Sequence, residues 1–368
     1  MTITSVEAIP YRLRARRPVR FANGQVDAAV HVLVRVRDSD GVEGVAEASP
    51  RPMTYGDTAV SVVHAIEQLI EPAVRGVPAG QIGAAHHRLR HLVHNTTAIA
   101  AFDVALWDLK ARRLGVPLAE MLGGFATSVR AAHLLSLASP EEMAAEADEV
   151  FAATGVTAMK VKVGVDVATD VARTVAVRDA LGAGALLYLD ANHGWDAPAT
   201  LIAVRALADK GIRPAWIEEP TPAAHALERR WLVERLDIPI VGDESATSLT
   251  TASAELQAGR CQAIAIKAGR TGITDSGRVI GLTEGLGADV VIGSQVEGTL
   301  GSIANLHLAA AHEATSRHPA EVTSGRHFET DIVTGAPPVE DGVMSVPTGP
   351  GLGVDIDDDA LASLRLDT

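Results

Sequence analysis

The sequence holds a single cysteine, Cys261, so no internal disulfide can form and no thiol cluster is available for a zinc site. Cys261 opens the alternating run Cys261-Gln262-Ala263-Ile264-Ala265-Ile266 and reads as a small strand residue, not a nucleophile. Positive charge is also scarce. Lysine and arginine number 32 against 46 aspartates and glutamates, a formal net charge of -14. Such a surface repels phosphate backbones and argues against a nucleic-acid partner. No apolar run reaches the roughly 18 residues needed to span a bilayer, so no membrane partner is expected. The first 19 residues carry Arg12, Arg14, Arg16 and Arg17 but no apolar stretch of signal-peptide type. A cytoplasmic location is the resulting expectation.

What is present points to a large folded chain. Over 368 residues the hydrophobic share is 47% and the charged share 21%, ample for a core and for more than one domain. The N-terminal part reads as strands followed by helices. Residues 30–36 have strand composition, Ser39-Asp40-Gly41 is a turn, and residues 42–48 return as a second strand. Helical spacing covers 57–70 and 97–114, the latter stopped by Gly115-Val116-Pro117. After Gly123-Gly124 short apolar runs alternate with helical stretches. The runs are 131–137, 158–163, 186–190, 215–218, 240–243, 263–267 and 290–292, with a final short strand at 321–323. This rhythm specifies parallel βαβ units. Seven units plus a last strand close a barrel, with catalysis at the C-terminal strand ends. Residues 1–125 are expected as an α+β capping domain and 126–325 as the barrel. The tail, 326–368, is expected to return onto the cap, burying Ile332, Val333, Val343, Met344 and Val346.

Three successive strands end in a carboxylate. Leu187-Tyr188-Leu189 ends at Asp190, Trp216-Ile217 at Glu218, and Ile240-Val241-Gly242 at Asp243. The spacings of 28 and 25 residues each match one βα repeat, so the acids stand side by side on a barrel rim. Any one of them alone reads as a helix N-cap. Three together repel unless a cation lies between them, and an all-oxygen set suits Mg²⁺. Glu219 and Glu244 are either ligands or partners of ligands. Lysines flank the acids on both sides. Lys160 and Lys162 share one face of their strand by period-two alternation, and Lys267 ends the strand after Asp243. A lysine near another cation and a metal is expected to have a lowered pKa, as a general base requires.

Lys160-x-Lys162, Asp190-Ala-Asn192, Ile217-Glu218-Glu219-Pro220, Gly242-Asp243-Glu244-Ser245 and Lys267 together resemble the muconate lactonizing enzyme subgroup of the enolase superfamily. The resemblance extends to Ala105-Leu106-Trp107-Asp108, Gly115-Val116-Pro117-Leu118 and Gly349-Pro350-Gly351-Leu352-Gly353. It implies a modified TIM barrel, (β/α)7β, under an α+β cap formed by the N-terminal segment and the tail. It implies Mg²⁺, with Mn²⁺ as a substitute, on Asp190, Glu218 and Asp243. Lys162 and Lys267 are implied as acid/base groups on opposite faces of the substrate, with Lys160 supporting Lys162. Asn192 and Glu244 would support the ligands, and Ser294 and Glu297 would lie near the substrate carboxylate. Cap loops at 18–24 and 50–56 would close the pocket.

The subgroup hosts muconate cycloisomerisation, o-succinylbenzoate synthesis, N-acylamino acid racemisation and dipeptide epimerisation. Dipeptide epimerases carry an Asp-x-Asp pair after the last strand, and residues 321–327 have none. Muconate is a small dicarboxylate and needs a second anion site, for which Arg20, Asn23, Arg51 and Tyr55 are the candidates. The expectation is therefore a muconate cycloisomerase acting on a small carboxylate, assembled as a homo-oligomer. A barrel that binds without catalysis should have lost a ligand or a lysine, and none is lost here.

Overall fold

The computed structural model describes residues 1–22 and 24–366, so Asn23 lies outside the described residues. Strands β1 (Ile3–Phe21), β2 (Gly24–Asp38) and β3 (Glu43–Ala48) form an antiparallel sheet in that order. The 19-residue β1 is longer than anything the composition suggested. Its signal was period-two alternation: Tyr11, Leu13 and Ala15 are buried while Arg12, Arg14 and Arg16 are exposed.

The helix Thr96–Leu114 packs against this sheet and ends at Gly115, whose φ of 71° caps it. The contact is close at Gly44, where a Cβ would lie 2.1 Å from the carbonyl oxygen of Ala105. Asp108 on the same helix accepts hydrogen bonds from Val45 N (2.8 Å) and Leu352 N (2.6 Å). It thereby joins the sheet to the glycine-rich tail, which explains the two outlying motifs.

The second part is a barrel of parallel strands: β4 (Ser128–Leu135), β5 (Ala158–Lys162), β6 (Leu186–Asp190), β7 (Ile217–Glu218), β8 (Ile240–Gly242), β9 (Ala263–Ile266) and β10 (Asp289–Ile292), paired in sequence order. The short β11 (Ala320–Glu321) pairs in parallel with β4 on its free side and adjoins β10. Ala132, Ala158, Tyr188, Trp216, Val241, Ala263, Ala265 and Val291 fill the interior, with Tyr188 and Trp216 stacked at 4.3 Å between ring centroids. Val161, Leu187, Leu189, Ile264 and Ile266 belong to the core between strands and outer helices. Period-two alternation thus separates an inner from an outer core. The ladders of β8 and β9 stop one residue before Asp243 and Lys267, which stand at the loop side of the strand ends.

The tail touches both parts. Val343–Ser345 pairs antiparallel with the first residues of β4, while Leu118 N donates to Gly351 O and Leu366 N to Pro10 O. Ile332 and Met344 are buried. Among the described residues no helix is long and apolar enough to cross a membrane.

Candidate active site

Strand register brings the carboxylates together. Lys162 pairs with Asp190 across β5 and β6, and Asp190 with Glu218 across β6 and β7. Asp243 follows one residue after β8. All three acids are buried. Lys162 Nζ donates to Asp190 Oδ2 (2.6 Å) and Asn192 Oδ1 (2.7 Å). Asn192 in turn donates to Glu244 Oε1 (2.8 Å). Lys160 Nζ lies 2.8 Å from both Glu218 Oε1 and Glu321 Oε1 and 3.4 Å from Asp190 Oδ2. On the other side Lys267 Nζ donates to Asp243 Oδ2 at 2.5 Å. Arg270, one turn into the following helix, also pairs with Asp243.

These pairings set the charges. Burial opposes the cation at Lys160, but Glu218, Glu321 and Asp190 outweigh it and raise the pKa well above the usual lysine value. Lys267 is raised too: burial is outweighed by Asp243 and Tyr55. With no cation between the carboxylates, each of these two ammoniums touches them directly and keeps its proton. Asp243 is pushed down, with Lys267 and Arg270 overcoming its burial. Burial, then Asp243 and Asp190, raises Glu244 to about 7. Glu218 is raised by burial.

The donor set fits a hard divalent ion. It consists of oxygens from adjacent strand ends, and Glu218 Oε2 and Glu244 Oε2 are buried with no hydrogen-bond partner among the described residues. Glu219 stands beside it, with a carboxylate oxygen within 4.8 Å of ligand atoms on Glu244 and His193. Its Oε1 accepts from Asp243 N (2.6 Å) and Ser245 N (3.0 Å), and its other oxygen pairs with Arg229. It holds the loop that carries Asp243. Backbone strain gathers on the same rim: Asn192, His193, Glu219 and Val296 all have positive φ.

A small pocket, about 50 Å³ in volume, opens over these groups. Lys160, Lys162, Asp190, Asn192, Asp243, Glu244, Lys267, Arg51, Tyr55 and Ser294 all line it. Three described candidates are not in its lining, of which Glu218 is bonded to the lining residue Lys160 at 2.8 Å. Arg20 is exposed and its Nε donates to Gln25 Oε1 (2.9 Å). Residues 18–21 belong to β1, not to a loop, and alternation turns Phe21 inward and Arg20 outward. Glu297 turns back on its own loop and accepts from Gln295 N (2.6 Å) and Asn305 Nδ2 (3.2 Å), with burial raising it to about 7. Sequence reading missed Phe21, whose ring lies 5.3 Å from Lys162 Nζ, and Gln295, whose buried Nε2 has no partner among the described residues. It missed Glu321 and Arg270 as well. Inward alternation marks Phe21, but a strand had first to be assigned there.

Residues 3–123 match the family model described as mandelate racemase / muconate lactonizing enzyme, N-terminal domain, and residues 142–360 match that of the enolase C-terminal domain-like family. The chain is 42% identical to a muconate lactonizing enzyme from Mucobacterium Smegmatis solved with muconolactone, with a TM-score of 0.97 and complete coverage of both chains. It is 31% identical to the L-Ala-D/L-Glu epimerase of Bacillus subtilis, covering 96% of this chain and 99% of that one at a TM-score of 0.92. It is 27% identical to a dipeptide epimerase from Enterococcus faecalis V583 solved with Mg and L-Leu-L-Tyr, covering 96% and 100% at a TM-score of 0.91.

Proposed function

Because this chain belongs to the mandelate racemase / muconate lactonizing enzyme family of the enolase superfamily, we propose that it is a muconate cycloisomerase, interconverting cis,cis-muconate and muconolactone. The observation that carries this reading is the donor balance of the pocket. Away from the carboxylate cluster its polar lining is Arg51, Thr54, Tyr55, Ser294 and Gln295, suited to a second carboxylate. The residues after β11 are Val322, Thr323 and Ser324, and Glu321 is already engaged by Lys160 and Tyr188. No free acid there awaits the ammonium of a dipeptide. The likeness to a muconate lactonizing enzyme over its whole length supports the same reading.

Asp190, Glu218 and Asp243 would hold Mg²⁺, with Mn²⁺ as a substitute. Bound there, the ion supplies Lewis-acid stabilisation of negative charge on the substrate carboxylate beside it. The remaining work falls to side chains. Arg51 and Gln295 orient the far carboxylate, whose oxygen forms the new C–O bond of the lactone. The π electrons of the attacked double bond move to the carbon next to the near carboxylate. Lys162 Nζ gives that carbon a proton, and its neutral amine takes one back on the return. Asn192 and Asp190 fix where Nζ stands. Lys160 and Lys267, both held cationic by carboxylates, offset the developing charge.

A 1,1-proton transfer, as in N-acylamino acid racemisation or dipeptide epimerisation, is the second reading. It is favoured by one fact: Lys162 and Lys267 both line the pocket. Turnover of cis,cis-muconate, N-acyl amino acids, dipeptides and the o-succinylbenzoate precursor, each with and without added Mg²⁺, decides between them. Magnesium-dependent lactone formation is expected. Racemisation or epimerisation without lactone formation would refute the proposal, and inertness to the whole panel would favour a non-catalytic barrel.

A further inference from the structure

On the outside of the barrel, His133, Glu146 and His327 meet where three segments converge: β4, the helix Pro140–Thr154 and the short 3-10 turn Ser324–His327. All three side chains are buried, and one ligand atom from each lies within 4.8 Å of the other two. Ala132 on β4 faces the barrel interior, so its neighbour His133 faces outward, towards the helix.

Hydrogen bonding decides the tautomer of His133. Thr323 Oγ1 gives its one proton to Ala132 O (3.1 Å), so it accepts from His133 Nδ1 (2.8 Å). Nδ1 carries a hydrogen, and Nε2 lies 3.5 Å from Glu146 Oε1. Among the described residues no hydrogen bond reaches the Glu146 carboxylate or either ring nitrogen of His327, and His327 Nε2 is fully enclosed. A buried imidazole nitrogen without a hydrogen-bond partner, beside a second imidazole and a carboxylate, is costly unless something electron-deficient joins it.

We propose that His133, Glu146 and His327 form a second divalent-cation site, selective for Zn²⁺ or a similar transition-metal ion and separate from the carboxylate cluster. Two imidazoles and one carboxylate suit such an ion, whereas the all-oxygen cluster suits Mg²⁺. Ligand atoms bonded at about 2.0–2.2 Å around a tetrahedral ion stand about 3.3 Å apart. His133 and Glu146 already approach that spacing, and side-chain rotation of up to about 1.5 Å closes the rest. The Thr323 hydrogen bond on Nδ1 orients the His133 ring, as such partners do for ligating histidines. Arg16, Arg17 and Arg326 line the same cavity as the three residues, together with Glu149, to which Arg17 is paired at 2.5 Å. These arginines favour an anion, hydroxide or chloride, as the fourth ligand. An ion here would tie the turn after the last barrel strand to the first barrel strand. That turn also carries Ser324, which is bonded to the pocket residue Ser294.

The test uses EDTA-stripped full-length protein resaturated with excess Mg²⁺, so that the carboxylate cluster is filled. Titration calorimetry with Zn²⁺, and Co²⁺ absorption as a reporter of histidine ligation, are expected to give one further ion per chain. His327→Gln and Glu146→Gln should each weaken that binding at least about tenfold, whereas Glu218→Gln should leave it unchanged. Loss in Glu218→Gln with retention in His327→Gln would place the ion in the active site and overturn the proposal. So would the absence of Zn²⁺ uptake in the Mg²⁺-saturated protein, with nitrogen NMR showing a doubly protonated His133 beside Glu146. If His327→Gln fails to fold by circular dichroism, Glu146→Gln and the Co²⁺ spectrum of the unaltered protein decide.

Discussion

Replacing Arg51 by alanine removes the guanidinium that both lines the pocket and ties the 50–56 loop to the barrel. Its Nη2 donates to Val296 O at 2.6 Å and its Nη1 to Pro50 O at 3.1 Å. Val296 has a φ of 56°, an unfavourable value for a β-branched residue, so its carbonyl is held in place at some cost. A hydrogen bond to a charged donor contributes about 1.5–3 kcal/mol. At about 1.4 kcal/mol per tenfold, Arg51→Ala should lower kcat/KM roughly 10- to 150-fold. A rise in KM alone means that Arg51 binds ground state and transition state equally, and a fall in kcat means that it also sets the closed loop. Arg51→Lys keeps the charge but not the planar fork and should fall between. Arg20→Ala is the control, because its side chain bonds Gln25 at the surface. Steady-state kinetics on the substrate the parent enzyme turns over provides the reading. Arg51→Ala within twofold of the parent, or Arg20→Ala falling as far, would refute this account of the lid.

Asp190→Asn, Glu218→Gln and Asp243→Asn should each lower turnover by on the order of 10²–10³-fold and weaken Mg²⁺ binding; full activity of EDTA-stripped protein would contradict the metal assignment. Lys162→Ala should lose turnover and solvent-deuterium exchange at the carbon beside the product carboxylate, while Lys267→Ala should slow yet keep stereospecific exchange in the remaining turnover. Mass spectrometry of the product reads this, and the opposite pattern exchanges the two roles. His86 bonds Asp103, which outweighs burial and raises the imidazole pKa. Its stabilising effect is full below the unfolded value of about 6.5 and is lost as pH rises through the higher folded value. His86→Gln should therefore flatten the thermal-stability profile across that window, and an unaltered profile would show that the pair contributes nothing.

The sequence by itself determined much of this protein. The run of strands ending in Asp190, Glu218 and Asp243 was legible because a βα repeat fixes where each strand emerges, and alternation fixes which face each side chain takes. Lys160 and Lys162 could be placed inward for the same reason. The long β1 was legible in principle from Tyr11 to Arg16, but its alternating arginines resemble a charged surface segment.

Tertiary structure alone decided the rest. Arg20 and Phe21 are neighbours in sequence, yet only the seating of the β1–β2 hairpin beside Ser136 and Leu137 determines which one enters the pocket. Glu321 engages Lys160, and Arg270 engages Asp243, across separations that no local period encodes. The meeting of His133, Glu146 and His327 likewise depends on how the last strand closes against the first. Local spacing fixes a side chain's direction within its own element, whereas its partners are fixed only when distant elements pack and bury their polar groups together.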